Sequence, residues 1–177
     1  MIELVITLTL ASVIAGLAAP AVINMIRENS VVSVNNQIVA DIQYTRSEAI
    51  KQNTGVTICS AAAGTDACLG SANWSTGWIV FLDANLSGTV DAGETIVKRQ
   101  DFNVTTQNNS LTINMVTGNI AGYLSYRGNG YPEVNGAAPS GEVRICGDGT
   151  STYSRRILIN PTGRVQSVGE LGALSCQ

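Results

Sequence analysis

The sequence predicts an α+β protein in which one long N-terminal α-helix packs on a β-rich globular head. Three observations carry this. Residues Met1 to Ile26 hold a single charge, Glu3. From Glu28 to Asn53 the apolar residues recur at helical steps. Beyond Gly55 the chain changes to short apolar or alternating runs divided by glycine-rich turns.

The apolar run comes first. At ~1.5 Å per residue its 26 residues would span ~39 Å, enough for a bilayer core of ~30 Å. A secretory signal would carry a basic segment ahead of its apolar stretch. Here the nearby charge is acidic, and the sequence carries on as helix. A carboxylate at membrane depth costs a few kcal/mol. A plain anchor gains nothing from Glu3. A stem that meets a neighbour's positive charge in an apolar setting gains a strong pair, because low dielectric strengthens the attraction. The stem therefore reads as built for lateral assembly. Pro20 is expected to interrupt the helix by removing one backbone hydrogen bond and crowding the preceding turn, with Gly16 weakening the same region.

The second half of the helix is amphipathic. Val31, Val34, Ile38, Ile42 and Ile50, with Ala49 beside the last, form one apolar stripe. Asn53-Thr54-Gly55 supplies the stop. The organisation is thus a hydrophobic transmembrane or filament-core stem over 1–27, the amphipathic half over 28–55 and the head over 56–177.

In the head, strands are expected at Val56–Ser60, Gly77–Leu82, Thr95–Gln100, Leu111–Val116, Gly122–Arg127, Glu142–Cys146, Arg155–Asn160 and Arg164–Val168. Their sheet is expected to bury the helix stripe. Trp74, Trp78, Phe81 and Phe102 read as packing residues.

Composition excludes several functions. With 10 basic against 13 acidic residues, net charge is −3 and no general attraction to nucleic acid is built in. The absence of histidine removes the commonest general base and metal ligand. No Ser-Lys or nucleophile-elbow pattern is present, so no enzyme is expected. The cysteines, Cys59, Cys68, Cys146 and Cys176, form no CxxC pair, which argues against zinc and for two disulfides in an oxidising compartment. Four cysteines allow three connectivities. The local choice is Cys59 with Cys68 and Cys146 with Cys176.

One loop carries metal-type spacing. In "DANLSGTVDAGE" the residues Asp83, Asn85, Ser87, Thr89, Asp91 and Glu94 fall at relative positions 1, 3, 5, 7, 9 and 12, with Gly88 at position 6. That is the oxygen-ligand pattern of a Ca2+ loop. The same residues are also ordinary hairpin-loop residues, and the flanks read as strands rather than helices, which favours a solvated hairpin loop.

The stretch Ile2-Glu3-Leu4-Val5 resembles the processed N-terminal region of type IV pilins and type II secretion pseudopilins, and Pro20 falls where that superfamily keeps a helix-breaking proline. The stretches "YTRSEAIKQNTGVTIC", "GWIVFLDANLSGTVDAGE" and "RRILINPTGRVQ" resemble the GspH/FimT-type pilins. The resemblance implies the type IV pilin fold and a subunit that polymerises through its helix into an extracellular filament. It also implies a stem held in the inner membrane before assembly, a prepilin peptidase and an assembly platform as partners, and pairing of Glu3 with the methylated terminal amine of a neighbouring subunit. The chain starts at Met1, two residues after the family's usual processed end, so that amine is expected outside this numbering. The alternatives are a periplasmic type II secretion pseudopilin and a minor pilin that binds DNA for natural transformation. The DNA-binding members carry a Gly-Arg-x-Arg pattern. Here it reads Gly163-Arg164-Val165-Gln166, leaving Arg155, Arg156 and Arg164 as a modest patch.

Overall fold

Residues 2–102, 111–120, 122–147, 153–169 and 176 are described in the computed structural model, with the side chains of residues 17–21 and 117 outside that set. Helix α1 runs Ile2–Gln52, about 77 Å at helical rise. It continues without a break through residue 20, so the interruption expected at Pro20 does not divide it. The expected crowding by the Pro20 ring lies outside the described residues.

Val31, Val34, Ile38, Ile42 and Ala49 are buried, as the stripe requires. Ile50 is 52% exposed, against expectation. Glu48 and Ala49 already span the buried arc at this turn, and the next 100° step carries Ile50 beyond it. The stripe also carries polar residues that the apolar pattern does not show. Asn35, Asp41, Thr45 and Glu48 are buried along the same face. Thr45 fills the gap between Ile42 and Ala49 by donating its hydroxyl to the Asp41 carbonyl at 2.7 Å.

The helix ends as its sequence foretells. Asn53 takes a left-handed conformation (φ 50°), the Asn53 amide donates to the Ile50 carbonyl, and the Thr54 amide donates to that of Ala49. This is a Schellman cap, with asparagine in the place glycine usually takes. Strand β1 (Val56–Ser60) follows at once.

The strands divide into two antiparallel sheets instead of the single set expected. The first has the order β3 (Ile96–Asp101), β2 (Gly77–Leu82), β1, β5 (Tyr123–Tyr126), β6 (Pro132–Glu133). The second has the order β4 (Thr112–Gly118), β7 (Gly141–Cys146), β8 (Ser154–Ile159), β9 (Val165–Val168). The segment before β2 joins them, since the Trp74 amide donates to the Ile113 carbonyl and the Met115 amide to that of Ala72, each at 2.8 Å. Eight of the strands lie within about a residue of the sequence expectation at most ends. The two-residue β6 is the one the sequence does not announce, because a proline-led pair shows no alternation.

Both sheets lean on α1. Ile113, Val143, Ile145 and Ile157 line one face of the second sheet, and Val56, Ile58 and Val80 one face of the first, meeting the helix stripe in the main core. Trp74, Trp78 and Phe81 are buried, and Phe102 packs with its ring 5.0 Å from that of Trp78. The first sheet is also covered on its far side, where Cys59, Ala61, Ile79 and Phe81 form a second small core with Val90, Ile96 and Tyr123 packed against it. Cover on both faces explains why β1 is buried at every position. The disulfides are Cys59–Cys68 and Cys146–Cys176, the local pairing.

Candidate assembly stem and charged surfaces of the head

The stem presents apolar side chains on every side. Ile2, Leu4, Val5, Leu8, Val13, Ile14, Val22, Ile23 and Met25 are each at least half exposed. Between these greasy positions stand three hydroxyls, and none is left open. Thr7 donates to the Leu4 carbonyl at 2.9 Å, Thr9 to that of Ile6 at 2.8 Å and Ser12 to that of Thr9 at 2.8 Å. Such bonds satisfy a hydroxyl within the helix and leave its methyl or methylene outward. Glu3 is exposed in the first turn, where the N-terminal end of the helix dipole favours a carboxylate. Among the described residues no helix is long and apolar enough to cross a membrane. The 26-residue span expected from the sequence includes residues 17–21, whose side chains lie outside that set.

Where the helix meets the head, Arg155 of β8 reaches Glu28 at 3.7 Å. Lower down, the Asp41 carboxylate is wholly buried. It accepts from the Trp78 indole N–H at 2.8 Å and from Gln37 at 3.0 and 3.1 Å, and it pairs with Lys98 of the edge strand β3. The Lys98 ammonium also lies 5.4 Å from the centre of the Tyr44 ring. One carboxylate thus fastens the helix, the edge strand β3 and its neighbour β2. Sequence reasoning missed it, although an aspartate between Ile38 and Ile42 on an apolar stripe was the available signal. At the end of the helix the Gln52 amide, helped by Lys51, holds the Glu48 carboxyl below its ordinary pKa.

The loop with calcium-type spacing is a hairpin loop folded over the second small core. Asp83, fully buried, organises it. Its carboxylate accepts from the Thr57 hydroxyl at 2.7 Å, the Ser87 amide at 2.9 Å and the Gly88 amide at 3.0 Å. Asn85 donates to Asp91 at 3.0 Å, Ser87 donates to the Thr89 carbonyl at 3.0 Å, and Glu94 accepts from the Asp91 amide at 2.9 Å. Gly88 is required here: φ is +74°, and a Cβ would meet the Tyr123 ring at 2.5 Å. Partial burial, with the charges of Asp83 and Asp91 adding to it, raises the Glu94 pKa against the pull of the Asp91 amide. The structure therefore draws all six residues of the spacing into one loop, but it aims their oxygens at amides and hydroxyls of the loop and of β1. Among the described residues no group of three or more His, Cys, Asp or Glu is placed to hold a metal ion.

The three arginines of the sequence patch do not converge. Arg155 and Arg156 are neighbours in a strand, so their side chains leave on opposite faces of the sheet. Arg155 turns to the helix, and Arg156 lies opposite Arg144 of β7, which bonds Glu142 at 2.8 Å. Arg164 is exposed after the β8–β9 turn, whose Gly163 has φ +76°.

The lower half of the stem-bearing helix thus lies under two antiparallel sheets. The family model for type II transport protein GspH matches residues 35–163. The chain belongs to the GspH family. No curated protein matches it. Two solved structures of the type IV minor pilin FimU of Pseudomonas aeruginosa strain PAO1, in different space groups, are similar to this GspH-family chain. One has 21% identity and a TM-score of 0.57, covering 82% of this chain and 98% of that one. The other has 22% identity and a TM-score of 0.59, covering 84% and 96%. At this identity the likeness establishes the pilin-type α+β fold.

Proposed function

We propose that this GspH-family chain is a structural, non-enzymatic subunit that polymerises through the stem of α1 into an extracellular type IV pilus-like filament. The supporting observation is the stem itself, apolar on all sides, with its hydroxyls bonded inward and one acid at its tip. Each large apolar side chain moved out of water gains roughly 1.5–3 kcal/mol, so a rod of this kind is stable only among lipids or among like rods. The inner membrane is its place before assembly, and the filament core afterwards. Glu3, costly in either setting, finds the N-terminal amine of a neighbour. The GspH description of the family favours a second reading, a periplasmic pseudopilus of a type II secretion system, which uses the same physics. DNA capture is the weaker alternative, because phosphate binding needs several cations acting together and Arg155, Arg156 and Arg164 diverge.

The test is Glu3→Ala in the full chain. Membrane insertion is expected to be unchanged while incorporation into filaments falls sharply. Filaments at normal yield would overturn the reading.

A further inference from the structure

We propose that neighbouring heads join side by side through two unlike flanks of the five-stranded sheet. The helix-end flank of one copy docks against the β3 flank of a second copy. This rests on the filament reading and adds to the stem contact.

The helix-end flank is marked by exposed apolar residues. Among the described residues only Ile50, Leu69 and Tyr131 are exposed large hydrophobics outside the stem. Ile50 lies against Gly130, the residue before Tyr131, since a Cβ on Gly130 would sit 2.8 Å from Ile50 and 3.5 Å from Arg46. The β8–β9 turn joins them. The Tyr126 hydroxyl donates to the Gly163 carbonyl at 3.3 Å, and a Cβ on Gly163 would meet Pro132 and Tyr126 at 3.0 Å. Around this apolar centre stand Arg46, which lies near Gly130, Arg127, and Arg164, which follows Gly163. Arg127 pairs with Glu133. Arg46 and Arg164 have no carboxylate within ion-pair distance among the described residues, so the flank is positive. An exposed tyrosine and isoleucine ringed by arginines is the composition of a protein-binding surface.

The opposite flank is acidic. It comprises β3 with the two loops beside it, and carries Asp66, Asp91, Glu94 and Asp101. Arg99 pairs with Asp66, and Lys98 is turned inward to Asp41. Leu69 follows directly on Cys68, which the disulfide ties to Cys59 of β1. The two flanks are separated by the full width of the sheet, β3 to β6. They cannot meet within one molecule, but they complement each other between copies. An unlike-face contact of this kind is not used up in a two-fold dimer, and wherever its rotation does not close a ring it repeats into a helical array.

Charge exchange tests this in the full chain. One variant carries Arg46→Glu with Arg164→Glu, and another Asp66→Lys with Asp101→Lys. Each alone sets like charges against each other, and roughly tenfold lower filament yield is expected, since tenfold corresponds to about 1.4 kcal/mol and like-charge contacts cost at least that. Produced together, the two variants alternate with every contact matched, and yield recovers. Because the native chain has no free cysteine among its described residues, Tyr131→Cys and Asp66→Cys on separate copies give a second reading through a short bismaleimide, with cross-linked pairs of this chain expected in filaments. Normal yield from either charge variant alone, no recovery on mixing, or cross-links to other proteins only would overturn the proposal. Glu3→Ala run alongside separates the cases. If it abolishes incorporation while the charge variants assemble normally, only the flank contact falls. If it too assembles normally, the filament reading falls with it.

Discussion

Replacing Asp41 with alanine attacks the point where the helix, the edge strand β3 and its neighbour β2 are tied together. The carboxylate is 0% exposed, and the Lys98 side chain 34%. Removing one partner of a buried ion pair costs about 3–5 kcal/mol when the other charge stays behind. Lys98 is a third exposed and can turn its ammonium to water, which places that part at the low end. The Trp78 indole N–H is different. Trp78 is 1% exposed, and its donor would be left unpaired in the core, a penalty of about 1–3 kcal/mol. A loss of about 4 kcal/mol is expected. For a chain of this size that is a fall in Tm of roughly 10 °C. Urea unfolding of the full chain in detergent, followed by fluorescence of the two tryptophans, reads it directly, because Trp74 and Trp78 are both buried. Lys98→Ala and the double variant complete a cycle, with a coupling of about 1 kcal/mol or more expected for groups in contact. A loss below about 1 kcal/mol together with no coupling would refute the claim that this carboxylate fastens helix to sheet.

Three further outcomes are expected. Asp83→Ala removes the acceptor for two amides and a hydroxyl, and should cost about 2–4 kcal/mol in the same unfolding assay. The native loop should show a Tm unmoved by millimolar calcium or by chelator, whereas a rise with calcium would restore the cation reading. Burial pushes the Tyr126 phenol up to about 12, with Arg46 pulling the other way. The unfolded phenol ionises near pH 10, so folded protein holds the proton more tightly and loses stability as pH rises from about 10 to 12, by up to about 2.7 kcal/mol. Tyr126→Phe should lack that part of the alkaline slope, and an unchanged slope in the variant would count against the assignment.

Much of this was legible because period and punctuation agreed. The stripe from Val31 to Ala49, the asparagine stop and eight strands all follow from side-chain spacing and turn chemistry. Ile50 misled because Glu48 and Ala49 take the buried arc at the last turn, and the apolar pattern alone does not say that a glutamate turns inward there while an isoleucine turns out. Asp41 and Asp83 were opaque for a related reason. Each is polar by type, yet each is buried because donors from distant strands surround it, and those strands come together only in three dimensions. The Asp83 stretch was read in favour of a hairpin loop, and it joins β2 to β3 as one. What the spacing could not reveal was Thr57 on β1, 26 residues earlier, waiting for the same carboxylate. Arg155 and Arg156 were placed on a strand by the sequence, and the alternation of that strand sends their side chains to opposite faces.

The inward-bonded hydroxyls of Thr7, Thr9 and Ser12 bear on traffic as well as on packing. In the proposed life of the subunit, leaving the bilayer for a bundle of sister rods swaps one dry surrounding for another. No polar group on these turns has to be stripped of water on the way in, or rewetted on the way out. Growth and withdrawal of the fibre would then differ little in energy along most of the rod, and the acid at its tip becomes the place where direction is decided.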